Sequence, residues 1–397
     1  LLQMALELHK RFGRTAWREV MRPAVELAQS GTPISTNLAT LLRERLGTLE
    51  EEKDKEFSTN IRNLFTINRN GSREVMRVGD RLKVPKLVET LTLIANEPSD
   101  KLLHENGTLM TAIAKDFLAL LRATNNQTNQ STIVPFLYPP KRDNIESGPP
   151  LRLSLLNGSL SLLTSPHRPS GPVLAQIIAI LEQIVLDARS AVELCNDDNR
   201  TLREGAHEFH YIIEALKFGY ASHSKLFFNF DFTSILAPEN TRRIAQKIIE
   251  RATQNSDTNN NASASKKVDA FDPQEYYGFT NPMTFQKEQD GSLASPLGVQ
   301  IVVYDPLARE VIALSTSGVD SSTLFDSSRR IFSKSTGFFF NSIRTTDSNQ
   351  TKSNSIFAPV PVMIEDRAES QILLASAAGG SQSTAALAGV LYKILFN

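Results

Sequence analysis

The stretch Val173–Leu186, VLAQIIAILEQIVL, constrains the fold most. Val173, Ile177, Ile178, Leu181, Ile184 and Val185 would face a core at helical spacing. A helix apolar over so much of its circumference is expected to be central. Gln176, Glu182 and Gln183 interrupt it, so it reads as an interior helix and not as a membrane span. The chain has 397 residues, enough for one large domain or two ordinary ones, and its 41% hydrophobic content suffices for a substantial core. With 43 basic and 43 acidic residues the formal charge is zero, which gives no reason to expect nucleic acid or an anionic membrane surface as partner. Cys195 is the one cysteine. An intramolecular disulfide and a cysteine-cluster metal site are therefore excluded, and Cys195 reads as a small buried hydrophobe.

The first two thirds read as mainly helical. Ala5, Leu8 and Phe12 share a face of a first helix ended by Gly13. Thr15 is expected to cap a second, with Val20, Val25, Leu27 and Ala28 as its apolar positions and Trp17 as a core anchor. Leu38–Ile67 reads as charged and helical, then loops. Pro85 suits a first helical position, followed by a stripe of Leu87, Leu91 and Ile94. Asn106-Gly107 is a turn before a further helix, and Arg152–Leu163 alternates around Asn157-Gly158 as a hairpin. Glu204–Ala221 and Glu239–Ala252 are helical. In the former, His207, His210 and Glu214 could share a face, but packing is the preferred reading over a metal site. Asn255–Lys267 is low in complexity and polar, and it is expected to be mobile.

From Gly298 the pattern turns to strands. GVQIVVYDP and EVIALSTSG form a hairpin candidate, and Thr336–Phe340, Val360–Ile364 and Leu373–Ala375 are further strands. The last stretch runs Leu373–Phe396, LLASAAGGSQSTAALAGVLYKILF: a short strand, a Gly379-Gly380 turn, then a helix. Leu387, Val390, Leu391 and Ile394 would share its apolar face, and Ser381 or Ser383 its cap. Backbone N–H groups exposed before a helix N-terminus can hold an anion or a developing oxyanion. Helices followed by strands indicate α/β layers around one core.

The terminal strand–AAGG–helix resembles the end of the gamma-glutamyltransferase (glutathione hydrolase) family. So do GRTAWREVMRPAVELAQSGTPIS, VGDRLKVPKLVETLTLIA, TSPHRPSGPVLAQIIAILE and EGAHEFHYIIEALKFGYA upstream. The resemblance implies the αββα sandwich of the N-terminal nucleophile hydrolases. It also implies a precursor cut before its nucleophile: a large-subunit-like part over 1–254, a flexible linker and cleavage region over 255–294, and a small-subunit-like part over 295–397, sharing one core. It implies no cofactor and no metal, and glutathione or a gamma-glutamyl peptide as ligand where binding is retained.

In that family a threonine freed by self-cleavage attacks the gamma-glutamyl carbonyl, and its own amine serves as base. With Val302-Val303 on the family's strand, the nucleophile position is Leu297 and the family's histidine is Val299. Neither side chain can do that work. Ser292 and Ser295 are nearby hydroxyls, and a slipped register would make either the nucleophile. The family's Thr-x-Asn falls near Ser317–Asp320, where Asp320 could replace the Asn only with a change of charge. Its acidic grip on the substrate's amino group aligns with NSIRTTD, where Ile343 and Thr346 stand for the acids and Asp347 lies one residue off. Of its paired carboxylate-binding serines, Ser355 remains and Ile356 replaces the other. Gly379 and Gly380 match its oxyanion glycines.

Three readings follow: a family protein with an impaired or inactive site that acts as a binding or partner module, an active glutathione hydrolase using Ser292 or Ser295, and an inert secreted scaffold. Sequons at Asn70, Asn106, Asn126, Asn129, Asn157, Asn199, Asn261 and Asn349 lean toward an extracellular or cell-surface location. The chain opens directly in a helical pattern, so a targeting segment or membrane anchor is expected upstream of Leu1.

Overall fold

The computed structural model describes residues 2–46, 55–97, 102, 107–123, 148–166, 170–192, 201–228, 232–257, 276–277, 299–308, 310–316, 330–341, 361–366, 368–377 and 382–396. They fall into two compact units, each built from separated pieces of chain: 1–147 with 319–353, and 148–318 with 354–397.

The first unit holds helices α1 (Leu2–Phe12), α2 (Trp17–Ser30), α3 (Thr36–Arg45), α4 (Lys55–Leu64), α5 (Pro85–Asn96) and α6 (Thr108–Ala123). It also has three antiparallel ribbons: β1 (Thr32–Pro33) with β4 (Arg81–Leu82), β2 (Thr66–Arg69) with β3 (Ser72–Val75), and β9 (Arg330–Phe332) with β10 (Phe339–Asn341). Trp17 is the expected anchor: it is buried, and its indole N–H donates to the Ile94 carbonyl at 2.9 Å, joining α2 to α5. Pro85 opens α5 as expected. The Asp116 carboxylate on α6 accepts from Ser333 Oγ (2.6 Å), Ser335 N (2.9 Å) and Ser335 Oγ (2.7 Å), and so holds the turn between β9 and β10.

Several expectations fail here. Thr15 does not cap α2. The cap position is Ala16, with no side-chain bond, and Thr15 instead offers its carbonyl to His9 Nε2 at 2.7 Å. Phe12, Val20 and Leu27 are exposed, so the apolar positions expected to share these helices' inner faces do not all do so. The loops expected before Ile67 include the start of the β2–β3 ribbon, whose Asn70-Gly71 turn is the signal that gives it away. Thr336 and Gly337 belong to a turn, and the strand begins at Phe339.

The second unit is layered. Its sheet runs β12 (Gln371–Ser376), β11 (Pro361–Asp366), β6 (Leu160–Thr164), β5 (Leu151–Leu155), all antiparallel, with Ile364 opposite both Leu162 and Leu373. Against it lies α7 (Ser170–Val192), the helix that the sequence marks as central. Val173, Leu174, Ala175, Ile177, Ile178, Ile180 and Leu181 are each 0% exposed. Its neighbours are β5 and β6 together with α8 (Thr201–Phe228), α9 (Phe232–Leu236), α10 (Pro238–Asp257) and α11 (Gln382–Phe396). By length and composition alone Ser170–Asp187 could cross a membrane, contrary to the reading of its polar residues. However, 78% of that window is buried inside protein. Burying each such aliphatic side chain contributes roughly 1.5–3 kcal/mol. α8 approaches α7 at Gly219, where an added Cβ would stand 2.4 Å from Ile177 Cγ1.

α11 differs from expectation on one side. Leu387 and Leu391 are buried, but Val390 and Ile394 are 54% and 55% exposed, and Ala388, Tyr392 and Phe396 complete the inner face instead. α10 runs on through Asn255–Asp257, so the polar stretch begins within a helix; residues 258–267 lie outside the described ones.

Two acids knit this unit together. Glu182 on α7 is buried and accepts the Leu156 N–H at 2.5 Å, holding the tip between β5 and β6, where Leu156 and Asn157 are left-handed (φ 50° and 56°). Burial raises its pKa above the ordinary carboxylate value, and the Leu156 bond opposes this only in part. Glu214 on α8 accepts from Tyr277 Oη and Lys217 Nζ, both at 2.7 Å. Burial alone would raise its pKa, but the Lys217 and Tyr277 hydrogen bonds and the Lys217 charge outweigh burial and lower it. The Tyr277 hydroxyl is pushed up, first by burial and then by its bond to that carboxylate, so phenol and carboxylate are the stable pair. Tyr276 donates to the Lys247 carbonyl at 3.1 Å, and both tyrosine rings stand against Phe218 at 5.4 and 4.9 Å.

Three outcomes are expected. Gly219→Ala gains helix propensity but must displace Ile177, so it destabilises by about 1–3 kcal/mol in urea titration, and Ile177→Val in the same chain recovers part of the loss. Tyr277→Phe leaves Glu214 short of a donor and costs about 1–3 kcal/mol by the same measurement. Glu182, with its folded pKa raised, favours folding when protonated, and that contribution is lost as pH rises from its unfolded value through the folded one. Glu182→Gln keeps an acceptor for Leu156 and should flatten the fall in urea midpoint as pH rises above the ordinary carboxylate range.

Candidate functional site

The strand and the helix that the sequence singled out are present. β12 ends at Ser376 and α11 begins at Gln382, with Gly379 and Gly380 in the connection, outside the described residues. Since the helix starts at Gln382, Ser383 lies in its first turn and is buried, and Ser381 lies outside the described residues. A helix N-terminus concentrates unpaired N–H groups and the positive end of the helix dipole, which favours negative charge.

The other expected site residues, Ser292, Ser295, Leu297, Asp320, Ser355, Ile343 and Thr346, lie outside the described residues as well. The described fold shows where their chain segments join it. β7 (Val299–Asp305) and β8 (Glu310–Thr316) form the expected hairpin, with Val299 opposite Thr316 and a turn in which Asp305 Oδ1 accepts from Leu307 N at 2.8 Å and Ala308 N at 3.1 Å. The segment holding Ser292, Ser295 and Leu297 enters at Val299, and that leading to Asp320 leaves at Thr316, so both use the hairpin's open end. β11 starts at Pro361 opposite Ser376, so the segment holding Ser355 arrives where the Gly379-Gly380 connection departs. Gln300 Nε2 donates to the Ala377 carbonyl at 2.9 Å and fastens these two strand ends together. The chain segments that hold the expected site residues Ser292, Ser295, Ser355, Gly379 and Gly380 therefore all join described strands at Val299, Pro361 or the end of β12.

These strand ends are polar beneath their surface. Thr164, Ser170, Ser383 and Thr384 are buried hydroxyls. Thr164 Oγ1 donates to the Pro361 carbonyl at 3.1 Å, while Ser170 Oγ has no hydrogen-bond partner among the described residues. Sequence reasoning missed Gln300. Its signal was a polar side chain set among Val299, Ile301 and Val302 in an otherwise apolar strand. It also missed Tyr277, whose pairing with Glu214 spans distant parts of the chain, and Tyr276, which bonds the Lys247 carbonyl.

Among the described residues no group of three His, Cys, Asp or Glu could hold a metal ion. In the His207–His210–Glu214 face, the side chain of His207 lies outside the described set and both Glu214 oxygens are engaged by Tyr277 and Lys217.

Comparison with known proteins bears on the whole chain. The family model described as gamma-glutamyltranspeptidase matches residues 1–396. Scoloptoxin SSD14 of Scolopendra dehaani is 26% identical over 218 residues, which cover 55% of this chain and 33% of that protein, so the match spans about a third of the relative's length. Among solved structures, Helicobacter pylori gamma-glutamyltranspeptidase is similar with a TM-score of 0.43 and 17% identity, over 61% of each chain. Cephalosporin acylase from Bacillus halodurans is similar with a TM-score of 0.41 and 17% identity, over 61% of this chain and 40% of the acylase. The family match carries the fold class implied by the resemblance, the αββα sandwich of the N-terminal nucleophile hydrolases. The described residues supply from it the sheet β12–β11–β6–β5, the helical layer around α7, and the β7–β8 hairpin. Matched from its first helix to its last, the chain belongs to the gamma-glutamyltranspeptidase family.

Proposed function

We propose that this protein keeps the family's scaffold, that its gamma-glutamyl hydrolase and transferase chemistry is impaired or lost, and that it acts as a binding or partner module. The observation that carries this reading is the start of β7. The strand begins at Val299 and contains Val302-Val303, so the register that the resemblance implies, with Val302-Val303 on the family's strand, puts Leu297 at the nucleophile position two residues before the strand. A leucine offers no hydroxyl to attack a carbonyl, and Val299 offers no imidazole. The substrate side agrees. An alpha-amino acid head leaving water needs opposite charge at both of its ends, and Ile343 and Thr346 replace the acids that would meet its ammonium, at a cost of several kcal/mol for a desolvated charge.

Glutathione and gamma-glutamyl peptides are the ligands to try first, because they are the family's. The sequons support an extracellular or cell-surface location. The division into a large-subunit-like part over 1–254, a linker and cleavage region over 255–294 and a small-subunit-like part over 295–397 follows the family's organisation, and in the active alternative Ser292 or Ser295 would become a new N-terminus.

The full-length protein should run as a single intact chain in mass spectrometry and should release no product from a gamma-glutamyl anilide. Two fragments, the smaller beginning at Ser292 or Ser295, with anilide turnover abolished by the matching Ser→Ala change, would overturn the proposal.

A further inference from the structure

We propose that a cavity between α3 and β3, in the first unit, binds a small monocarboxylate with an apolar body. The cavity has a volume of about 310 Å³ and is lined by Ala39, Arg43, Glu74, Val75, Met76 and Arg77. All six belong to the first unit. None is a residue that the family resemblance assigns to catalysis or to the gamma-glutamyl substrate, so this site stands whether or not that chemistry survives. Its size lies at the lower end of small-molecule sites, which favours a compact ligand.

The lining divides by chemistry. Ala39 and Met76 are buried and belong to the core cluster that includes Leu42, Ile61 and Phe65, so the apolar part of the cavity is the edge of that core. Val75 is half-buried beside them. The Met76 backbone is fixed, its N–H donating to the Phe65 carbonyl at 2.9 Å, while its flexible side chain can adapt to the ligand laid against it. The polar part is cationic. Arg43 and Arg77 are both exposed, and Arg43 lies four residues after Ala39 on α3, on the same face of the helix.

The two arginines differ in what they have left to offer. Arg77 Nη2 donates to Glu74 Oε2 at 2.7 Å, and Arg69 Nε stands 4.0 Å from the same oxygen, so the Glu74 carboxylate is answered within the protein. Arg43 has no hydrogen bond or ion pair with any described residue. Its planar fork of N–H donors matches the two oxygens of a carboxylate. Charge sets the class of ligand. The lining holds two cations and one anion, and a single negative charge on the ligand balances it. A phosphate dianion would add a second negative charge beside Glu74, and an ammonium would meet Arg43 and Arg77. A neutral ligand would fill the apolar part and leave Arg43 unanswered.

The test titrates the full-length protein, carrying isotope-labelled methionine methyls, with 3-phenylpropionate at about pH 7, where Arg43 is charged and the acid ionised. The neutral amide and the amine of the same skeleton, 3-phenylpropionamide and 3-phenylpropylamine, serve as comparisons. The Met76 methyl resonance, assigned by its loss in Met76→Leu, reports the site. A saturable shift of that resonance by the acid is expected, with the amide at least about tenfold weaker and the amine weaker still. Arg43→Gln, an exposed change to another good helix former, should bring the acid down to the level of the amide, and Arg43→Lys should restore only part of the difference. No Met76 shift with the acid at about 10 mM, a concentration that would nearly saturate a millimolar site, overturns the proposal. So does equal binding of acid and amide, or acid binding that is unchanged in Arg43→Gln.

Discussion

A helix without a polar face exists only inside something, and α7 is such a helix. Its buried run from Val173 to Leu181 needs cover on every side, and the second unit is arranged to supply it: β5 and β6 on one flank, α8 to α11 around the rest. Because the covering pieces come from both ends of this part of the chain, the core forms only when residues near 151 and residues near 391 have met. The close passage of Gly219 against Ile177 is a local result of the same demand, since helices pack nearer when one of them lacks a side chain at the crossing.

Burying so much apolar surface leaves polar groups that must be satisfied, and the fold answers with side chains from distant segments. Glu182 reaches from the core helix to a hairpin tip, Glu214 binds Tyr277 across 63 positions of sequence, and Asp116 gathers the serines of a turn 217 positions away. Each bond is worth modest net free energy but is costly to leave unmade. Such contacts therefore select one arrangement of elements over other compact ones more than they add to total stability.

Much of this was legible in the sequence, and the legible part follows a physical pattern. α7, the β5–β6 hairpin with its Asn157-Gly158 tip, the β7–β8 pair and the strand–turn–helix before Phe396 all carry strong local periodicity or turn chemistry. What escaped depends on tertiary neighbours. Val390 and Ile394 share helical spacing with Leu387 and Leu391, yet they face outward, because spacing defines a stripe without saying how wide a surface is available to cover it. Thr15 has the right chemistry for a cap but is passed over for Ala16, since its carbonyl is held by His9. Of the candidate site, the sequence indicated the residues and the fold shows the strand ends that receive their segments. The Gln300–Ala377 bond that joins those ends could not be read from spacing.

The strand ends at Val299, Thr316, Pro361 and Ser376 have one further consequence. The residues that would carry chemistry sit on connections, whereas the residues that carry stability sit on α7 and its neighbours, and the two sets scarcely overlap. A change of residue in these connections alters none of the described side chains that cover α7. Selection for folding and selection for turnover act on separable positions, so a lineage released from the second can drift there freely while the first keeps the architecture recognisable.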